Sequence, residues 1–359
     1  MIVGFDGVEM TPSLASLLRR LQPAGVILFA RNIKTPPQTW RLLHECRKCV
    51  EIPPFTGVDL EGGTVDRFRD VLGASPSAAE AFATDDPPLF RCHGKVIGEN
   101  CRVLGFNVDF APVLDLAFPA SQGVMGSRVV SADPEQTAGY AHEFLNGLRS
   151  ARVLGCGKHF PGLGEGKLDS HHELPVIEKS MKRVWEEDLV PYRLLARHLP
   201  MVMVSHAAYP QVTKSKIPAS LSKLWITDIL RKRIGYRGLI VSDDLEMGGV
   251  LSAAPLGEAA VEFVRAGGDV CLVCHREDYV LQAHEALIKR ADKDKKIAQR
   301  VVESNRKVLA FKKKWKKELR MGKAPTEAAV EKLTRRLWEF GEQVRLGPLS
   351  RSEDRRRRA

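Results

Sequence analysis

Short apolar runs recur along the whole chain and alternate with segments whose apolar residues have helical spacing. Eight of these runs are rich in β-branched or aromatic residues and are mostly unbroken, which is typical of parallel strands covered on both faces. They lie at residues 2–5, 25–30, 55–60, 105–113, 153–160, 201–206, 238–244 and 268–274. The pattern therefore predicts eight buried strands.

Helical patterns fill the spaces between these runs. Thr11 and Pro12 form a capping and first-turn signal ahead of a leucine-rich stretch. Further helices are predicted over 40–50, 186–199, 221–234 and 258–265. The last of these is expected to end at Gly267 and Gly268, because glycine is the residue that most often terminates a helix.

The eightfold alternation of strand and helix predicts an α/β fold, a (β/α)8 TIM-type barrel rather than an open sheet. We expect the barrel to end near residue 280 and the helices that follow to close it. No linker rich in Ser, Gly or Pro divides the chain, so a single catalytic domain is predicted over 1–345. Residues 346–359 are expected to form a basic, disordered tail.

The composition is that of an ordinary globular protein. The chain has 359 residues, of which 44% are hydrophobic and 28% charged, and this disfavours disordered, collagenous and membrane classes. No stretch approaches the ~20 apolar residues of a membrane helix, and the N-terminus lacks the pattern of a signal peptide. Seven scattered cysteines favour reduced thiols. A soluble, cytoplasmic protein without a membrane span is therefore expected.

Two Cys-x-x-Cys pairs, Cys46/Cys49 and Cys271/Cys274, raise the question of a zinc site. The first pair lies in a helical pattern, and the two thiols of the second point to opposite faces of a strand. Structural thiols are the favoured interpretation, and no metal is predicted.

The net charge of +11 is concentrated at the C-terminal end. Residues 281–359 hold 24 of the 55 basic residues and 11 of the 44 acidic ones, so the rest of the chain is nearly neutral. A run such as the four arginines at 355–358 attracts polyanions, but contacts to phosphates alone carry no sequence specificity. No specific nucleic-acid partner is predicted.

Charged and polar residues follow the predicted strands directly. In a barrel of this type the active site lies at the carboxyl ends of the strands. The residues at those ends are Asp6, Asp59, Glu61, Asp115, Lys158, His159, His206, Asp243 and Asp244. The pattern predicts a catalytic rim at this end of the barrel.

The densest chemistry lies in the segment 155–175. Lys158 and His159 end a strand, and a glycine-rich loop then leads to Asp169 and His171. A carboxylate two residues from an imidazole can orient the ring and select its tautomer. The alternative is a histidine that only caps a turn. Because three glycines make this loop pliable, we predict that it acts as a lid that carries His171 over bound substrate.

Asp243 ends the seventh predicted strand, in the segment VSDDLEM at 241–247. A carboxylate at that place suits a nucleophile or a base, and the alternation of side chains along a strand directs either Asp243 or Asp244 toward the barrel axis. By itself, an aspartate at a strand end is a weak signal.

Taken together, several segments of the chain resemble glycoside hydrolase family 3. Within that family they are similar to the single-domain bacterial β-N-acetylglucosaminidases (β-N-acetylhexosaminidases) of peptidoglycan recycling. The resemblance covers about residues 2–280 in order, and its most specific part is KHFPG…DSHHELP followed by SDDLEM. The segments are VGFDG, GVILFARNI, GVDLEGGTVDRF, FAPVLDL, GKHFPG…DSHHELP, WEEDLVPYR, SLSKLWITDILR and GLIVSDDLEM.

The resemblance implies a role for each matching residue. Asp243 matches the catalytic nucleophile, and His171 matches the general acid/base with Asp169 as its partner. The positions that match sugar-binding residues are Asp59, Arg67, Arg128, Lys158 and His159. It also implies a retaining mechanism without metal or cofactor, and a monomeric cytoplasmic enzyme acting on GlcNAc-containing muropeptides or disaccharides.

Four places depart from the family pattern. Thr64 stands where an arginine is usual, Leu163 replaces a histidine, Glu165-Gly166 replaces Asp-Thr, and Val129-Val130 replaces a small residue followed by an aromatic one. None of these is a catalytic position. The departures therefore bear on the ordering of the loops and on the reaction rate rather than on whether the protein is active.

Three alternatives stay open at this point. Lys158 could form a Schiff base in another barrel enzyme. A family-3 enzyme with a different sugar preference would carry the same catalytic residues. A binding protein could instead use residues 351–359 to dock on a polyanion.

Overall fold

Eight parallel strands close into a barrel surrounded by helices in a computed structural model, which describes residues 1–166 and 173–358, with 348–358 as backbone only. The neighbours around the barrel are β1-β10-β9-β8-β7-β6-β3-β2, while β4 and β5 form a separate hairpin. The predicted TIM-type fold is confirmed, and each of the eight predicted runs contains a barrel strand. The strands are β1 (Ile2–Val3), β2 (Gly25–Ile27), β3 (Phe55–Val58), β4 (Leu60–Gly62), β5 (Val65–Asp66), β6 (Val108–Asp109), β7 (Leu154–Phe160), β8 (Met201–Val204), β9 (Leu239–Asp244) and β10 (Val270–Val273).

Helices follow the barrel strands and cover their outer faces. The α-helices are α1 (Pro12–Leu21), α2 (Pro36–Lys48), α3 (Arg69–Leu72), α4 (Ala78–Ala83), α5 (Pro87–Leu104), α6 (Gln122–Met125), α7 (Pro134–Ser150), α8 (Met181–Glu186), α9 (Val190–Leu195), α10 (Pro210–Thr213), α11 (Gly248–Leu251), α12 (Leu256–Ala266), α13 (Glu277–Lys293), α14 (Lys295–Lys314) and α15 (Glu327–Arg358). A π-helix spans Leu224–Arg233.

The predicted helix signals hold at α1 and α12. The side chain of Thr11 accepts a hydrogen bond from the backbone N–H of Leu14 at 3.1 Å, which satisfies one of the unpaired donors of the first turn. Gly267 ends α12 with φ at 114°, a conformation that a residue without a side chain adopts at little cost.

One predicted helix is wrong in its bounds. Instead of one helix over 186–199, the chain forms α8 and α9 with a break between them. Pro191 lies in the first turn of α9, where its missing N–H costs nothing. At the break, Asp188 bonds the buried ammonium of Lys179 at 2.7 Å. This distant partner competes with a continuous helix and cannot be read from periodicity.

The interior of the barrel is filled by alternate side chains of the strands. Ile2 belongs to the interior cluster, whereas the next residue, Val3, packs against the helices. Phe311 and Trp315, at the end of α14, pack against the interior cluster, so α14 covers the N-terminal end of the barrel. Each large side chain buried in this way contributes about 1.5–3 kcal/mol.

The C-terminal helix α15 packs against α5 through buried Leu337 and Phe340. The boundary predicted between residues 345 and 346 falls within α15 and stays a prediction. All seven cysteines are free thiols, and no helix among the described residues is long and apolar enough to cross a membrane.

Candidate active site

A cluster of charged side chains joins β3, β4 and β7 at the C-terminal mouth of the barrel. The Lys158 ammonium lies 2.7 Å from Asp59 Oδ1 and 2.6 Å from Glu61 Oε1. Arg128 donates to both Glu61 oxygens, from Nε at 2.8 Å and from Nη2 at 2.9 Å. We call Asp59, Glu61, Arg128 and Lys158 the charge tetrad. It brings together three of the predicted sugar-binding residues and adds Glu61.

Glu61 reaches the tetrad because a tight hairpin turns the chain directly after β3. Gly62 ends β4 and Gly63 begins the turn of the β4–β5 hairpin, with φ at 80° and 59°. A side chain on Gly62 would also meet the backbone carbonyl of Pro76 at 2.0 Å. These two glycines therefore serve the backbone of the hairpin, and the strand carries Glu61 to a position only 4% exposed.

The charges within the tetrad hold one another in their ionised forms. Burial would raise the pKa of Glu61, but Arg128 and Lys158 hold it well below its usual range. Burial would likewise lower the pKa of the Lys158 ammonium, but Asp59 and Glu61 raise it above its ordinary value. Glu61 and Lys158 are therefore held in their charged forms at neutral pH, within a cluster of two acidic and two basic side chains.

His159 and Asp115 form a second buried pair beside the tetrad. The His159 Nδ1 lies 2.7 Å from Asp115 Oδ2, and the Asp115 side chain is only 1% exposed. Asp115 Oδ1 also accepts from the backbone N–H of Leu163 at 2.7 Å. His159, one of the predicted sugar-binding residues, thus has Asp115 as a fixed partner. The sequence indicated Asp115 only as one of several polar residues at strand ends.

Asp243 lies at the end of β9 and is partly exposed. Its Oδ1 accepts from the backbone N–H of Asp244 at 2.9 Å. Burial would raise the pKa of this carboxyl, but the neighbouring His159 and His206 rings, the Asp244 N–H and the Lys158 ammonium lower it below its ordinary value. Asp243 is therefore a carboxylate at neutral pH, as a nucleophile must be.

His206 supports this end of β9. One ring nitrogen, Nε2, lies 2.9 Å from the Asp244 carbonyl, and the other, Nδ1, lies 2.7 Å from the Ser220 hydroxyl. Because a carbonyl only accepts, Nε2 carries the hydrogen and Ser220 donates to Nδ1. Burial lowers the pKa of this ring. Ser220 has no sequence signal, since it is joined to His206 only by the fold.

Arg67 directly follows β5, and its guanidinium lies 5.6 Å from the centre of the Phe29 ring. Its Nε is buried and has no partner among the described residues. Arg31 also stacks on Phe29, at 4.8 Å, and pairs with Asp6 at 2.9 Å. Arg67 is thus a donor available to a ligand, while Asp6 is a surface partner of Arg31.

Three carboxylate and imidazole groups beside β9 have ligand atoms within 4.8 Å of one another: Asp244, Glu246 and His275. Asp244 Oδ1 accepts from the Cys274 N–H, and Glu246 Oε1 accepts from two further N–H groups, those of His275 and Arg276. These bonds tie the ends of β9 and β10 together, and that structural role accounts for the group.

The predicted acid/base pair, Asp169 and His171, lies outside the described residues, and so does the central part of the predicted lid. The beginning of that loop is described. Leu163 is buried at 7% exposure, and Glu165 accepts from Arg183 at 2.9 Å. Two of the departures from the family pattern therefore pack or pair, whereas Thr64 is exposed in the β4–β5 turn.

The fold and the site together define a class of protein. It is a TIM-barrel enzyme whose C-terminal mouth presents an ionised carboxylate and several charged groups suited to binding hydroxyls. The chain belongs to glycoside hydrolase family 3, because the N-terminal domain of that family matches residues 3–311. It is therefore a glycosidase acting on a carbohydrate substrate.

Two curated relatives with similar sequences are beta-hexosaminidases. A beta-hexosaminidase of Bordetella avium (strain 197N) is 36% identical over 286 residues, which are 77% of this chain and 81% of the relative. A beta-hexosaminidase of Aromatoleum aromaticum (strain DSM 19018 / LMG 30748 / EbN1) is 40% identical over 270 residues, 72% of this chain and 75% of the relative.

Solved structures of the same kind share the fold. A family-3 beta-N-acetylglucosaminidase from Paenibacillus sp. str. FPU-7 superimposes with a TM-score of 0.86 at 31% identity, over 94% of this chain and 66% of the other. This chain thus spans about two thirds of that enzyme. Native NagZ from Neisseria gonorrhoeae gives a TM-score of 0.74 at 28% identity, over 96% of this chain and 97% of the other.

Proposed function

We propose that the protein is a retaining exo-β-N-acetylglucosaminidase that removes terminal β-linked GlcNAc through a covalent glycosyl-enzyme. The observation that carries this proposal is Asp243, an ionised carboxylate at the C-terminal mouth of a family-3 barrel. The names of the relatives support the choice of sugar, since both are beta-hexosaminidases.

The reaction proceeds in two displacements. Asp243 attacks the anomeric carbon while His171 donates a proton to the departing glycosidic oxygen, so that the C–O bond to the aglycone breaks as the ester to Asp243 forms. His171, now deprotonated, takes a proton from water, and the resulting oxygen nucleophile breaks the ester and releases the sugar. Asp169 orients the His171 ring in both steps.

The remaining predicted residues bind the sugar. In this proposal Asp59 accepts from hydroxyl groups, while Arg67, Arg128 and Lys158 donate to hydroxyl or carbonyl oxygens. The unpartnered Nε of Arg67 and the ring of His159, held by Asp115, support this assignment. No group other than these side chains is needed to supply a nucleophile and a proton.

The surroundings of Lys158 disfavour the Schiff-base alternative. A lysine that forms a Schiff base must be deprotonated, and enzymes achieve this by burial in an apolar site or beside another cation. Lys158 instead contacts two carboxylates, which raise its pKa. Its ammonium is thereby kept as a donor rather than as a nucleophile.

The natural substrate in this proposal is a muropeptide or a disaccharide of GlcNAc and anhydro-MurNAc or MurNAc in the cytoplasm. The resemblance to enzymes of peptidoglycan recycling supports it. A monomer is proposed because the resemblance to the single-domain enzymes of the family implies one.

A panel of nitrophenyl β-glycosides tests the proposal. We expect turnover of the GlcNAc glycoside to exceed that of the glucoside, the N-acetylgalactosaminide and the xyloside. The first product observed by NMR should be β-GlcNAc. Equal cleavage of the glucoside would contradict the sugar preference, and an α-configured first product would contradict retention.

A further inference from the structure

We propose that Asp115 is a positioning residue of the active site, which sets the tautomer and orientation of the His159 ring and joins that ring to the first turn of the loop after β7. This inference rests on the proposed function for its catalytic consequence, whereas its structural part concerns the ring alone.

The backbone fixes the place from which Asp115 acts. Val113 pairs with Lys158 as an isolated parallel bridge, and the Leu114 N–H donates to the Lys158 carbonyl at 2.6 Å. The residues directly before Asp115 are therefore bonded to the strand end that carries His159. A carboxylate held in this way has little freedom to reorient.

The partners of Asp115 are N–H donors rather than cations. The carboxylate accepts from His159 Nδ1 at 2.7 Å, from the Leu163 N–H at 2.7 Å and from the His159 N–H at 3.3 Å. No Lys or Arg within the described ranges forms an ion pair with it. The buried carboxylate is thus devoted to holding one ring and one turn.

These contacts determine which nitrogen of His159 carries the hydrogen and which is left as an acceptor. Both oxygens of Asp115 accept from N–H groups, so the hydrogen of a neutral His159 ring lies on Nδ1 and leaves Nε2 with a lone pair. Within the part of the chain that is described, no residue bonds Nε2. A sugar hydroxyl that meets it would donate its hydrogen, and the other tautomer would offer that hydroxyl a donor instead.

The second oxygen gives Asp115 its link to the loop. Leu163 begins the segment that leads to His171, and its backbone N–H is bonded to the same carboxylate that holds the His159 ring. The ring that contacts the sugar and the root of the segment that carries the proposed acid therefore share one support. Asp115 acts through both of them without contacting the substrate.

Asp115→Asn separates these two links because it is nearly isosteric. Its amide oxygen still accepts from the Leu163 N–H, but its NH2 group now faces Nδ1 and donates to it. We expect the His159 hydrogen to move to Nε2 and kcat/KM for the aryl GlcNAc glycoside to fall by about 10- to 100-fold. Asp115→Ala also loses the link to Leu163, so its kcat/KM should fall further.

The decisive readout is the ¹⁵N spectrum of the His159 ring in the full chain, recorded at a pH where the ring is neutral. The wild type should show the hydrogen on Nδ1 and Asp115→Asn should show it on Nε2. A wild-type ring with its hydrogen on Nε2, or an unchanged spectrum in the variant, would overturn the inference. This measurement does not depend on the substrate.

Two kinetic controls separate positioning from a general loss of structure. In a His159→Phe background, Asp115→Asn should cost nothing further in kcat/KM, because its effect is transmitted through the ring; the same loss in both backgrounds would contradict the inference. Asp269→Asn alters another buried carboxylate, which pairs with Lys307 at 3.3 Å. It should lower Tm yet keep kcat/KM and the His159 spectrum. Failure of the wild type to cleave the aryl glycoside would contradict the proposed function instead.

Discussion

Asp243 differs from the other carboxylates of the mouth in what surrounds it. Asp59 and Glu61 are bonded directly to Lys158, whereas Asp243 accepts from a backbone N–H and has histidines nearby. No Lys or Arg among the described residues bonds the Asp243 oxygens. The carboxylate is therefore ionised, and a cation does not occupy it. That combination is what a nucleophile requires.

Replacing Asp243 with Ala should lower kcat by several orders of magnitude, because the covalent route disappears. Azide should restore part of the rate on an activated aryl glycoside and yield the α-glycosyl azide, since a small anion fits the space left by the carboxylate. Asp6→Asn is the matched control, because Asp6 is an exposed carboxylate on the same rim that pairs with Arg31. The kcat of this variant should be unchanged. A fluorinated glycosyl donor that labels Asp244 or Glu246 would contradict the assignment.

The proposed pair Asp169 and His171 gives a second prediction. Asp169→Asn should leave Tm unchanged and lower kcat by orders of magnitude, because the ring loses the partner that sets its tautomer. His171→Ala should reduce the rate far more on a natural disaccharide than on an activated aryl glycoside, whose leaving group needs no proton. Equal losses on both substrates would show that His171 is not the acid.

Residue types were predictable where a polar side chain follows an apolar run. Lys158, His159 and Asp243 stand out in the sequence for that reason, and the structure places all three at the mouth. Ser220 and Arg31 do not stand out, because folding alone creates their contacts. Ser220 meets His206, 14 residues away, through the fold of the segment after β8, and Arg31 bonds the Cys274 carbonyl, 243 residues away, because the barrel closes. Their functions could not be predicted from local pattern.

At the scale of the elements, all eight barrel strands were predictable because strands covered on both faces are continuous apolar runs. The β4–β5 hairpin was not, since its strands are two or three residues long and flank two glycines. Such short strands have no alternation to detect. The hairpin nevertheless delivers Glu61 to the charge tetrad.

Helix α5 contains a buried histidine that makes the stability of the fold depend on pH. His93 is fully buried and its Nδ1 lies 2.8 Å from the Tyr140 hydroxyl on α7. Burial lowers the pKa of His93 to about 4, whereas an exposed histidine has a value of about 6.5. The unfolded chain therefore binds the proton more readily than the folded one.

We expect the free energy of unfolding to fall as the pH decreases from about 6.5 to about 4, by about 3 kcal/mol from this group. Urea titrations across that range measure it. His93→Gln should flatten the dependence, while His44→Gln, a histidine stacked on Trp40 at the surface, should keep it. An equal slope in wild type and His93→Gln would contradict the prediction.

The lid over 161–173 stays a prediction, and its consequence can be measured. A loop that closes over bound sugar should exchange its amide hydrogens more slowly when a GlcNAc-like inhibitor is present. Amides of α14, which covers the N-terminal end of the barrel, serve as the internal control and should not change. Equal exchange with and without inhibitor would favour a static loop packed by Leu163.

At the scale of the whole molecule, α15 tests where the domain ends. Removing 346–359 should leave kcat and Tm unchanged, because the predicted domain ends at 345. Removing 326–359 also takes away Leu337 and Phe340, both 2% exposed, and should lower the free energy of unfolding by several kcal/mol. If the shorter deletion destabilises the protein equally, the predicted boundary is wrong.

The charge tetrad constrains how this pocket can change over evolutionary time. Loss of any one member leaves the tetrad with an unbalanced charge, and an uncompensated buried charge costs about 3–5 kcal/mol, which is a large part of the stability of a typical domain. Single substitutions at Asp59, Glu61, Arg128 or Lys158 should therefore be purged before a compensating one arises. Descendants of this pocket that bind a different sugar should retain all four residues or have exchanged them in pairs, and their specificity should diverge at positions around the tetrad.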